Sequence, residues 1–86
     1  MKYYRYQHEE HSHGPGILTV YYEVNDSNEI IRSIEVRPDG GKSRYDVQNL
    51  DDEYGGLPEA EFDYDLAGEY GEIQEITQNH FEEELK

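Results

Sequence analysis

Three sets of side chains in this 86-residue chain have the types and spacing to do chemistry. The first is His8, His11 and His13, with Glu9 and Glu10 among them. Imidazole is the commonest ligand for zinc or nickel, so the trio is a weak candidate for a divalent cation. Its H-x-x-H-x-H order differs from the helical H-E-x-x-H site, whose rings stand four residues apart, and no distant fourth ligand completes it. A solvated loop is the simpler reading. The second set is DYDLAG, 63–68, in which Asp63, Asp65 and Gly68 fall at the positions of an EF-hand calcium loop. Ala67 then occupies a ligand position, and Gln74 stands where that loop needs a bidentate glutamate. The pattern fails twice, and neither a metal nor a cofactor is expected.

The third set is the carboxylates. Residues 50–72 hold nine of them together with Tyr54, Tyr64 and Tyr70, and contain no lysine or arginine. The formal net charge of −14 is divided unevenly along the chain. Residues 1–44 carry seven acids against six bases (Lys2, Arg5, Arg32, Arg37, Lys42 and Arg44), whereas residues 45–86 carry fourteen acids against Lys86 alone. Crowded carboxylates repel one another, so the arrangement costs stability unless a partner or the solvent compensates it. Solubility requires net charge, but not forty consecutive residues without a base. Such a field excludes nucleic acid and anionic membrane as partners and attracts basic proteins or metal cations.

Enzyme chemistry finds little footing. It requires an activated nucleophile or a carboxylate pair in a cleft, and a domain this small has little room for a pocket. His80, among acids near the C-terminus, reads as a helix-surface residue. A non-enzymatic protein is expected.

The elements that must position these residues are legible in part. The length fits one domain, 1–86, near the lower limit for building a core. Nine tyrosines supply ring area that the few aliphatic residues do not. With no cysteine there is no disulfide framework, and no apolar run approaches a membrane span, so the cytoplasm is the expected compartment. KYYRYQH, 2–8, reads as a strand, and ILTVYYEV, 17–24, places Leu18, Val20, Tyr22 and Val24 on one face. IIRSIEVR, 30–37, is its hairpin partner, and PDGG, 38–41, is a turn. KSRYDVQ, 42–48, follows as a strand with Ser43, Tyr45 and Val47 inward. ITQNHFEEELK is helical, capped by Thr77, with Ile76 and Phe81 as a hydrophobic staple and Leu85 sharing the Phe81 face. The expected fold is α+β: an antiparallel sheet of three to four strands, a β-meander, with one C-terminal helix packed on a face in two layers.

From Glu59 to Leu66 acids alternate with apolar or aromatic residues. As a strand this places Ala60, Phe62, Tyr64 and Leu66 inward and four carboxylates outward, about 6.7 Å apart. A helix from Leu57-Pro58 to Gly68 is the competing reading, with Phe62 and Leu66 on one face. The strand gives one charge per roughly 6.7 Å, against one per about 1.7 Å of duplex axis, so full mimicry of a nucleic acid needs several acidic rows, with Glu82, Glu83 and Glu84 contributing. The residues expected to meet a basic protein partner are Asp51, Asp52, Glu53, Tyr54, Glu59, Glu61, Asp63, Tyr64, Asp65, Glu69 and Tyr70.

KYYRYQH, the YYEVND turn, IRSIEVRPDG and the closing EIQEITQNHFEEEL together resemble a family of small acidic bacterial domains of unknown function. Members carry a tryptophan where this chain has Tyr6, and another near the end that it lacks. Such domains are similar in size and charge to immunity proteins that shield a cell from its own nuclease toxin, and to acidic phage inhibitors of defence nucleases. The resemblance strengthens the inhibitor class without choosing its target. With the acidic segment, the expected function is an inhibitor that occludes the basic nucleic-acid-binding site of a partner, in the first place an immunity protein for a toxin nuclease. The alternatives are a phage-encoded anti-defence inhibitor, of anti-CRISPR or anti-restriction type, and a structural or regulatory domain with an incidental acidic face.

Overall fold

A computed structural model describes residues 1–9 and 16–86. The candidate ligands His11 and His13 therefore lie outside the described residues. The strands are β1 (Lys2–Glu9), β2 (Ile17–Val24), β3 (Ile30–Val36), β4 (Lys42–Tyr45) and β5 (Glu72–Ile76); the helices are α1 (Tyr64–Tyr70), just before β5, and α2 (Gln78–Leu85), after it. They form one sheet in the order β4-β3-β2-β1-β5, with every neighbouring pair antiparallel.

The α+β class holds, but the sheet has five strands rather than three to four, and there are two helices rather than one. The meander covers β1 to β4 only. EIQEI hides as a strand because Glu and Gln are poor strand formers, and its two isoleucines give no run. Pairing with β1 makes it one, with Ile76 opposite Tyr3 and Ile73 opposite Tyr6. A Cβ at Gly71 would collide with the Gln7 carbonyl oxygen, so only glycine lets the chain enter β5 this close to β1.

Alternation along the strands gives the sheet two apolar faces. On one, Tyr3, Tyr21, Ile34 and Phe81 form a buried cluster, joined by Val36, Ile76 and Leu85. Phe81 and Ile34 are wholly buried. The α2 helix is fixed there as the sequence predicts: Thr77 Oγ1 accepts from the His80 N–H at 3.1 Å, and Ile76 packs on the cluster that Phe81 anchors. Its last carbonyls are capped by bases from β4, with Lys42 Nζ on Glu84 O at 2.8 Å and Arg44 Nε on Leu85 O at 2.6 Å.

On the other face Tyr4, Val24 and Phe62 form a second cluster, with Tyr22, Ile30 and Ile73 against it. Phe62 comes from the long connection between β4 and β5. Those strands are opposite edges of the sheet, so the connection must cross a face, and it covers the one α2 leaves open. The expected two layers become three, because the acidic segment is itself a layer. Residue 47 is a second correction: β4 stops at Tyr45, and Val47 points outward, 73% exposed. A turn at Asp46 ends the strand, its Oδ1 accepting from Gln48 N and Asn49 N at 2.8 and 2.9 Å.

Candidate functional site

All eleven residues expected to meet a partner lie on this connection, some anchored by it and others exposed along it. Asp52 is an anchor. Its Oδ1 accepts from Tyr45 Oη at 2.7 Å, Tyr54 N at 2.8 Å and Gly55 N at 3.2 Å. These bonds, the tyrosine's first, hold its carboxyl below the usual aspartate range. Glu53 is exposed in the bend so formed. Tyr54 lies under the Arg37 guanidinium, 3.8 Å from its ring centroid, so one base from the first half of the chain does sit among these acids.

Further along, Phe62 N donates to Asn28 O at 2.8 Å while its ring stacks on Tyr4 with centroids 4.5 Å apart. This fixes Glu61 opposite Glu29 in an isolated antiparallel bridge. Asp63 caps α1, accepting from Leu66 N at 3.0 Å. Asp65 and Glu69 follow on the helix, four residues apart and exposed. The Tyr64 ring leans on Tyr4 at 5.8 Å, and Tyr70 is 72% exposed.

Neither reading of 59–66 survives whole. There is no strand: of Ala60, Phe62, Tyr64 and Leu66 only Phe62 is buried, and the four carboxylates form no straight row. There is a helix, but it starts six residues after Pro58, because Phe62 is pinned to the sheet and Asp63 supplies the cap. What the arrangement creates instead is a cleft of about 770 Å³ between the β2–β3 turn and residues 50–61. Glu29, Asp51, Glu59 and Glu61 line it, and no base is among its described lining residues.

Apart from Arg37, the bases with resolved partners are engaged elsewhere. Arg32 grips Glu23 through Nε–Oε1 at 2.6 Å and Glu82 through Nη2–Oε1 at 2.9 Å, with Tyr3 Oη donating to Glu23 at 2.9 Å. The Arg32 hydrogen bond holds the Glu23 carboxyl low, and the Glu23 bond raises Arg32 in turn. Lys42 pairs with Glu84 at 3.3 Å, Lys86 with Glu83 at 3.1 Å, and Arg5 donates to Gln74 at 2.7 Å. On the α2 face, charges are matched. Among the described residues, no ion pair involves a carboxylate of residues 51–69.

Of the metal candidates, His8 is half-buried on β1, its Nδ1 2.8 Å from the Glu9 carbonyl oxygen and its ring 5.2 Å from that of Tyr6. Among the described residues no three acids or histidines converge as a metal site. No helix of the described residues is long and apolar enough to cross a membrane. Sequence reasoning missed Glu29, which reads as a turn residue; only the tertiary bridge to Glu61 brings it to the cleft. No protein family, curated protein or solved structure matches the chain.

Proposed function

We propose that this chain is a non-enzymatic inhibitor, acting in the cytoplasm, that covers the basic nucleic-acid-binding site of a partner protein in the manner of an immunity protein against a toxin nuclease. The observation that carries the reading is the partition of charge by face. Arg32, Lys42 and Lys86 neutralise the acids of α2 and Glu23, while among the described residues no ion pair reaches the acids of 51–69 on the other side of the sheet. Uncompensated like charge raises the energy of the free protein and lowers it when a cationic surface docks. The motif resemblance to small acidic domains points the same way.

The mechanism has two stages. The anionic face speeds encounter with a basic cleft, and Tyr64 and Tyr70, already held on α1, then lose water against the partner while the acids pair around them. Holding Asp52 and Asp63 in structural bonds prepays part of the ordering cost of binding.

The test uses Glu59→Lys, Glu61→Lys and Asp65→Lys together, which spares the anchor Asp52 and the cap Asp63. Wild-type protein immobilised at low salt should retain a nucleic-acid-cleaving or nucleic-acid-binding protein from the source cell, release it as salt rises, and inhibit its activity. The triple variant should associate with that protein about tenfold more slowly or worse. Unchanged binding by a correctly folded triple variant would sink the reading.

A further inference from the structure

Next to the acidic cleft, and sharing Ile30, Pro58, Ala60 and Glu61 with it, runs a shallow groove of about 250 Å³. Its apolar walls include Tyr22, Ile30, Pro58, Phe62, Leu66 and Tyr70. Phe62, Leu66 and Tyr70 recur every four residues and so form one stripe leading into and along α1. That helix buries none of its own residues; Leu66 stays 49% exposed and Tyr70 72%. An apolar stripe left in solvent beside a preformed groove marks an interaction surface.

Charge decides the occupant. Glu61 and Asp63 rim the groove itself, and Asp65 and Glu69 lie on the same helix. A second copy of the chain would bring a charge of −14 against −14, and an anionic bilayer or nucleic acid would be repelled in the same way. The volume is below the roughly 300–1,000 Å³ of small-molecule sites and suits a single large side chain. Building on the inhibitor reading above, we propose that the groove receives one aromatic or large aliphatic side chain of a cationic protein segment, flanked by lysines or arginines that pair with the acidic rim. The acids then govern the rate of approach and the groove governs residence.

The chain has no tryptophan, which makes a direct test available. Two lysine-rich peptides, identical except for a central tryptophan or serine, are titrated into the protein at low salt. The tryptophan emission should move to shorter wavelength, and the tryptophan peptide should bind about tenfold more tightly than its serine twin. Leu66→Gln, which keeps the charge, should abolish both differences and leave serine-peptide affinity unchanged. Equal affinities without a spectral shift, or a preference untouched by Leu66→Gln, would overturn the groove and leave the charge reading intact. Failure of both peptides to bind would overturn the two together.

Discussion

Glu29 and Glu61 face one another across an isolated antiparallel bridge beside the acidic cleft. Directly opposed like charges are unfavourable, and here the juxtaposition is imposed from the side: Phe62 N donates to Asn28 O, and Phe62 is buried against Tyr4. At this pair Asn25 Nδ2 donates to Glu29 Oε1 at 3.0 Å. Packing of Phe62 therefore sets two glutamates opposite one another at a cleft that no base lines among the described residues. Glu61→Gln should stabilise the isolated protein by about 0.2–1 kcal/mol. The gain should shrink as salt screens the pair. Urea unfolding at low and high ionic strength measures both effects, and a variant less stable than wild type at low salt would show that the pair does not repel.

The opposite face should respond to acid. Glu23 is buried with Arg32 and Tyr3, and the arginine's hydrogen bond holds its carboxyl below the ordinary 4.5. A depressed acid contributes stability that is present above its unfolded value and lost as pH falls through the folded one. Glu23→Gln keeps the shape and removes the charge, so it should cost about 1.5–3 kcal/mol at neutral pH. The gap from wild type should narrow as pH drops below 4.5. A pH-independent gap would mean that packing, not ionisation, sets the cost.

How far the sequence reveals this molecule depends on where each element gets its stability. Strands β1 to β3 and α2 are visible because their apolar residues recur with the period of the element they form, and because Thr77 marks the helix start. Strand β5 is invisible because its stability comes from pairing with β1, seventy residues earlier in part, and not from its own composition. Residues 59–66 mislead for a related reason. Their alternation is real, but burial of Phe62 alone satisfies it, and Asp63 then starts a helix. The identity of the acidic residues was readable; the cleft they share with Glu29 depends on a bridge that no spacing rule reports.

Alkaline titration should pick out two tyrosines. Burial pushes Tyr22 and Tyr45 from 10.0 up to about 12, and for Tyr45 the Asp52 carboxylate adds to the rise. A raised folded value favours the neutral phenol, so the stability these groups contribute is intact below pH 10 and lost as pH climbs through about 12. Tyr22→Phe removes one such group without removing its ring. At pH 11 the variant should lose less of its neutral-pH stability than wild type loses. An identical alkaline decline in both proteins would contradict the assignment to Tyr22.

Ser33 offers the sharpest test of packing in the layer beneath the acidic connection. It is 1% exposed, and its Oγ has no hydrogen-bond partner among the described residues. Its strand neighbours are Tyr22 and Tyr45, so the hydroxyl sits between two large rings on the face that the connection covers. A buried hydroxyl without a partner carries its desolvation cost uncompensated, about 1–3 kcal/mol. Removing it leaves only a small void, since alanine differs from serine by one atom. Ser33→Ala should therefore raise stability by about 0.5–2 kcal/mol in urea unfolding, with an unchanged slope. A loss of about 1 kcal/mol or more would show that the hydroxyl is bonded, and that Ser33 is not wedged unpartnered between the two rings.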